Sequence, residues 1–267
     1  MRVMLMIAMQ EFTHTLTHPL ALLVGGIVLA VAYINGAGGV DTLEIVNAQA
    51  DLDAVMVGFG QSWQATSMIC TIMAAFLGAT TIPYEKWKHT LNVLFTKPLY
   101  RKDYIAGKFV GLTAFMLVFN TFAVMFTGLL IIVYFREPLS VSDFLLRVIA
   151  YIIVMTMSCS LVIALNMLIG VLSKNILVVT SAAMTYIYFD WIWNNDRMLG
   201  NLAFLTPMNL YNKLINPITT LYPTLYDTLT PFTLWFSSAV PYIGLMLIEI
   251  LVFLLAGIHL FTREDKI

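Results

Sequence analysis

The chain has 267 residues, 60% of them hydrophobic and 11% charged, with a mean hydropathy of +0.86. Soluble domains are roughly 45–50% apolar and about a quarter charged, so the composition excludes an ordinary soluble enzyme and points to a lipid-embedded body. A net charge of −1 and a pI of about 6.4 give no general basic field for nucleic acid.

The opening MRVMLMIAMQEF predicts an interfacial helix over 4–16 rather than a cleaved leader. Gln10 and Glu11 break its apolar run and no small-residue cleavage pattern follows, while Met4, Ile7, Met9 and Phe12 share a broad apolar side. A crossing helix needs about 20 largely apolar residues. The first such stretch runs from Pro19 to about Gly36, with Thr17 as a cap and Pro19 suited to the first turn. Residues 37–53 carry Asp41, Glu44, Asp51 and Asp53 without a Lys or Arg. Residues 54–84 are free of charge and predict a second span centred near Met73.

After a basic segment at 83–108, residues 109–135 and 148–173 predict the third and fourth spans. They are joined by a short link at 136–147, and 170–175 is barely a turn. A shorter fifth span over 176–195 carries Asp190. Residues 196–240, rich in Pro, Thr, Asn and Tyr, predict short helices packed on or dipping into the outer surface. Pro231 and Pro241 bracket 232–240, too short to cross and expected as a half-helix that dips in and returns, its free backbone groups covered by protein. The sixth span, 241–261, carries Glu249.

The fold class expected is therefore an all-α integral membrane protein, a single transmembrane domain over 1–267 with six crossing helices. Six crossings place both ends on one side. That side holds Arg2, Lys86, Lys88, Lys97, Arg101, Lys102, Lys108, Lys174, Arg263 and Lys266, against Arg136, Arg147, Arg197 and Lys213 on the other. The positive-inside bias makes both termini cytoplasmic. Tyr188, Trp191 and Trp193 then fall at the outer interface.

No chemistry of its own is expected from the chain. It has no G-x-x-x-x-G-K-[ST] phosphate loop and no H-E-x-x-H; His14, His18, His89 and His259 are scattered. Neither a catalytic set nor a metal set can be assigned. Cys70 and Cys159 sit in apolar runs and read as small buried hydrophobes. No internal repeat is evident, which weakens a reading as a secondary transporter built from inverted repeats.

The most informative stretch runs from Thr81 to Lys108. Pro83 is expected to open a helix, with Glu85 in its first turn at the positive end of the dipole. Tyr84, Trp87, Leu91 and Leu94 recur at helical spacing, with Lys88 and Asn92 on a more polar side. The pattern predicts an amphipathic helix over 84–96 along the cytoplasmic surface, stopped by Pro98. Residue types alone leave two readings open: a basic loop that satisfies the charge bias, and a helix that docks a partner.

Pro83 to Lys108 resembles the segment after the second span in the ABC-2 type permeases. The matching residues are Glu85, Leu94, Pro98, Arg101, Tyr104, Gly107 and Lys108; Gln10-Glu11-Phe12 resembles the family's elbow helix. Lys88 departs from the glycine that many members carry. The six-span layout, with its large outer segment between spans five and six, extends the likeness across nearly the whole chain. The resemblance implies two such permeases, identical or related, seated on two separate ATP-binding subunits. ATP and Mg would be bound by those subunits, and no cofactor by this chain.

In that picture the helix near Glu85 to Phe95 is a coupling helix. Trp87 and Leu91 or Leu94 serve as apolar anchors, and Glu85 and Lys88 as polar contacts. Arg101 and Lys108 either touch the ATPase or bind lipid headgroups. The implied role is export across the plasma membrane. The alternative is a non-transporting assembly or sensor component that docks the same ATPase.

Glu249 lies about eight residues into the last span, roughly 12 Å deep at 1.5 Å per residue. It either touches cargo or is protonated and hydrogen-bonded to a neighbouring helix. Asp190, beside Trp191, is most simply read as exposed at the outer interface. Asn120 and Asn166 are expected to bond between helices, and Gly25, Gly26, Gly78 and Gly170 to let helices approach closely.

Overall fold

A computed structural model describes residues 2–38, 53–87, 101–134, 138–173, 175–192, 205–215, 225–228 and 230–263, with only the backbone given for some of them, Trp87 and Arg101 included. The described elements are helices. In chain order they are α1 (Arg2–Leu16), α2 (Pro19–Gly38), α3 (Ala54–Trp87), α4 (Arg101–Tyr134), α5 (Val141–Leu172), α6 (Ile176–Ile187) with a π-helical turn (Tyr188–Ile192), α7 (Pro207–Ile215) and α8 (Phe232–Arg263).

Four of these helices hold stretches long and apolar enough to cross a membrane: Ser62–Lys86 in α3, Lys102–Tyr134 in α4, and all of α5 and α8. α1 and α2 meet at 61° and together make a fifth candidate, while Ile176–Trp191 is apolar but shorter. The chain is an all-α, multi-span membrane protein with four to five long apolar helices.

Several helices outrun the charge-free windows that announced them. α4 starts at Arg101 rather than near residue 109, and α5 at Val141 rather than 148. A charge-free window marks hydrocarbon thickness, whereas a helix ends where its caps are. Ser140 caps α5 by accepting from the Asp143 amide, and Asn175 caps α6 by accepting from Leu177 N at 2.9 Å. Residues 232–240 do not form a separate half-helix. They are the first turns of α8, which continues through Pro241. A membrane helix tolerates such a proline because neighbours re-satisfy the freed carbonyl. Trp235 anchors this end of α8, being buried and donating its indole N–H to Leu214 O at 2.9 Å.

Pro83 likewise does not open a helix. It lies inside α3, so Glu85 occupies the last turn of a helix begun at Ala54. The ring of Pro83 packs where Gly170 of α5 leaves room: a Cβ on Gly170 would stand 3.1 Å from Pro83 Cδ. Gly78 does the same one level away, where a Cβ would come within 2.9 Å of Ile163 O. These two contacts seat α3 on α5, the largest helix–helix interface described. Gly26 has open space around it, and the close approach expected there is absent.

α5 is the central helix, with 78% of its apolar window buried against 17% for α8. Its Ser158-Cys159-Ser160 run, Ala164 and Gly170 keep the helix slim, so that α3, α4 and α8 all pack on it. Asn120 of α4 bonds across to Thr156 Oγ1 of α5 at 3.2 Å. Asn166 instead donates to Val162 O of its own helix, contrary to the expected cross-helix bond.

Candidate functional site

The polar residues singled out before the third span converge at one end of the bundle. Lys108, about two turns into α4, is 3% exposed, and its Nζ lies 2.8 Å from Glu11 Oε2 of α1 and 2.7 Å from Glu85 Oε1 of α3. Thr81 Oγ1 of α3 donates to the other oxygen of Glu11 at 3.1 Å, and the Tyr104 hydroxyl of α4 donates to Glu85. One buried ammonium thus ties three helices together through two carboxylates. A lysine is rarely buried unless paired; here both partners come from other helices. Lys108 is therefore buried between helices rather than exposed at the surface.

Local structure explains why the cluster forms. Glu85 ends α3, where the macrodipole is negative and a carboxylate is unfavourable. Lys108 and Tyr104, four residues apart on one face of α4, offset that cost. Close approach of α1 to α4 depends on two glycines. A Cβ on Gly107 would meet Met4 O at 2.8 Å, and one on Gly111 would meet Ala8 O at 2.6 Å. Phe12 adds an edge-on contact to Phe115, ring centroids 6.4 Å apart.

Two further helices join at the same end. Lys86 Nζ donates to Val171 O in the last turn of α5 at 2.8 Å, adding a cation at that helix's negative pole. Lys86 also lies 5.9 Å over the Phe261 ring of α8, and Tyr104 stacks on that ring with centroids 5.9 Å apart. The ends of α3, α5 and α8, the start of α4 and helix α1 therefore meet around the root of segment 88–100. Lys88, Leu91, Leu94 and Pro98, with most of the predicted helix 84–96, lie outside the described residues. Tyr84, on the apolar side of that predicted helix, is exposed. Arg101 is the first residue of α4.

Thr81, Lys86, Gly111 and Phe261 were not singled out by the sequence reading. The spacing Gly107-x-x-x-Gly111 was the available signal for the helix contact. Nothing comparable marks Lys86 or Phe261, whose partners lie far away in the chain.

The other candidates fall elsewhere. Asp190, in the π-turn, is 7% exposed and accepts from Tyr186 Oη at 2.9 Å and Met208 N at 3.0 Å. The exposure expected of it is overturned: it satisfies an otherwise free amide in the first turn of α7. Glu249 is half-buried on α8; its Oε2 is shielded and has no hydrogen-bond partner among the described residues. Among the described residues no three His, Cys, Asp or Glu side chains are placed to hold a metal ion.

The end of the bundle opposite the cluster holds charges missed from sequence. Asp53 precedes α3, accepting from Val55 N at 3.0 Å and from Leu139 N at 3.1 Å. Arg147, 1% exposed, pairs with Asp143 at 2.6 Å and donates to Leu225 O at 2.9 Å and Thr230 O at 2.6 Å. Beside them Ser67 shares hydrogen bonds with the hydroxyls of Tyr151 (3.0 Å) and Tyr211 (2.6 Å). Burial pushes the Tyr211 phenol of α7 well above its ordinary range, so it stays a neutral donor.

Among the described residues the cluster ties α1 to four longer helices, α3, α4, α5 and α8, at one point. No curated protein matches this sequence. A family model described as ABC-2 family transporter protein matches residues 5–266. This extent includes α1 and every helix that meets at the cluster, and the chain belongs to the ABC-2 transporter family.

Proposed function

We propose that this protein is the membrane-spanning subunit of an ATP-driven exporter in the plasma membrane. It would cross the bilayer six times, α2 and α6 with its π-turn adding to the four long helices, with both termini cytoplasmic. Two copies, or one with a related permease, would sit on two separate ATP-binding subunits. Those subunits would hold the ATP and Mg.

The observation that carries this reading is the Glu11–Lys108–Glu85 cluster at the root of segment 88–100. A displacement of that segment by an ATPase would reach α3 through Glu85 and α4 through Lys108. It would reach α1 through Glu11, and α5 and α8 through Lys86. Trp87, Leu91 and Leu94 are the apolar anchors in this reading, and Lys88 a polar contact. Glu85 faces inward and transmits rather than docks.

The test is affinity purification from the native membrane, read by mass spectrometry, with wild type beside Trp87→Ala/Leu91→Ala and Glu11→Gln. An ATP-binding subunit should accompany wild type and Glu11→Gln but not the anchor variant. Glu11→Gln should keep the ATPase bound while transport per ATP hydrolysed falls. A wild-type preparation with no ATPase under mild conditions would overturn the reading. An ATPase that binds without turnover responding to any cargo would favour a non-transporting component.

A further inference from the structure

A crevice of about 290 Å³ opens between α4, α5 and α8. Its floor is Thr156 and Ser160 of α5 with Ile250 of α8, all less than a tenth exposed. Its rim is Leu117, Ile153 and Leu247, each about half exposed on the apolar outer surface of the bundle. We propose that this crevice binds one hydrocarbon chain of a membrane lipid, held between three helices rather than lying along their surface.

Size selects the occupant. On α4 the lining runs from Phe109 to Leu117, about 12 Å at 1.5 Å per residue. A volume of about 290 Å³ spread over that length gives a cross-section of about 24 Å². An α-helix about 10–12 Å across needs roughly four times as much. A helix from a second copy cannot enter the crevice and would meet it only through side chains at its rim, and the length exceeds any single side chain. A single saturated chain fits in both dimensions.

Chemistry selects it too. The lining is almost wholly apolar, although three of its residues carry hydroxyls. Ser160 Oγ is spent on Thr156 O at 2.7 Å, and Thr156 Oγ1 accepts from Asn120 at 3.2 Å. Thr113, the third, has no partner for its hydroxyl among the described residues. In the same helix Thr121 and Thr127 donate to carbonyls four residues back, at 2.7 and 2.8 Å, a bond open to Thr113 by rotation. An apolar crevice does not hold water, and left empty it forfeits dispersion contacts on every wall.

Position agrees with a lipid tail and not with a headgroup. Phe109 to Leu117 lies 8 to 16 residues from the start of α4, and Ile250 lies 13 residues before the end of α8. Thr113, Leu117 and Ile250 place most of the crevice inside the apolar stretch; its near end, at Phe109, adjoins Lys108, whose ammonium is spent on Glu11 and Glu85. The mouth is continuous with exposed Val110, Val118, Ile248 and Leu251 on the surface that faces lipid.

The experiment uses the full chain in phosphatidylcholine–phosphatidylglycerol vesicles carrying a trace of phosphatidylcholine with a mid-chain diazirine. After illumination, peptides are read by mass spectrometry. Adducts should concentrate on 153–160 and 247–250, several-fold above the exposed face at 122–129 of α4. Leu247→Trp and Ile153→Trp, both at the exposed rim, should each abolish that excess. Leu251→Trp, one turn along α8, should leave it intact. Labelling as even as on 122–129 would overturn the proposal, as would an excess untouched by both rim variants. So would a cysteine at Leu247 that bridges to a second copy. Should a rim variant fail to fold, the wild-type ratio alone decides.

Discussion

The two ends of the bundle bury similar charges in different ways. At the α1 end one ammonium meets two carboxylates, side chain to side chain, on three helices. At the opposite end Asp53, Arg147 and Asp190 spend their charge mainly on backbone groups: the amides of Val55, Leu139 and Met208 and the carbonyls of Leu225 and Thr230. The first arrangement fixes helices relative to each other. The second fixes the path of connecting segments. A joint that transmits movement needs the first kind, because rigid elements carry displacement; a cap that keeps its shape needs the second.

The comparison breaks most sharply at Lys108. Lys108→Met leaves Glu11 and Glu85 facing each other without their shared cation. Removing one partner of a buried ion pair costs about 3–5 kcal/mol. Thermal unfolding in detergent should show a loss of that size, and Lys108→Met/Glu85→Gln should recover part of it. If Lys108→Met is as stable as wild type, the cluster does not hold the helices, and its role in transmission goes with it.

Next comes Arg147→Met at the opposite end. It orphans two buried carbonyls as well as Asp143, for a cost of at least about 2 kcal/mol at 1–3 per unsatisfied group. The loss should be local. Limited proteolysis should cut near 225–230 in the variant, while amide exchange around Gly107 stays at the wild-type rate. Coupled changes at both ends would mean that the bundle does not separate them.

How much of this was legible follows the same division. The long apolar helices α3, α4 and α5 could be read because hydrocarbon thickness leaves a charge-free window in the sequence. The cluster members Glu11, Glu85, Tyr104, Gly107 and Lys108 were found through their resemblance to a family pattern, though their mutual contacts were not. Glu85 was assigned to the wrong end of a helix because a proline suits a first turn so well; the room left by Gly170, remote in sequence, is what lets Pro83 sit inside one. Arg147 was placed in a link because a charge normally ends a span. Beyond Asp143, one turn away, its partners are backbone carbonyls far along the chain, which carry no residue-type signature. Asp190 was misread for the same reason: Met208 N is an amide like any other until the fold brings it near.

Gly111→Ala sharpens the α1 end alone. The added methyl would sit 2.6 Å from Ala8 O, backbone that cannot yield without moving α1. Overpacking of this kind costs about 1–3 kcal/mol. α1 should lift from α4 and lengthen the Glu11–Lys108 contact. A cysteine pair at Ala8 and Leu112 would report the separation as slower crosslinking, with no change in proteolysis near 225–230.

The smallest expected effect is the most discriminating. Asp190→Ala removes a carboxylate that accepts from Met208 N and Tyr186 Oη, while both helices keep their remaining packing. Loss of a helix-capping acceptor costs about 1 kcal/mol, roughly a five-fold change in a local opening equilibrium. Hydrogen exchange at Met208 to Leu210 should quicken by that factor, since local opening governs exchange there. Exchange at Tyr104 to Lys108 should not move, because the two sites lie at opposite ends of the bundle and separated sites act independently. A matching acceleration at Tyr104 to Lys108 would show that a bond to one backbone amide reaches the ion cluster. The division between a transmitting end and a capping end would then give way to a single cooperative unit.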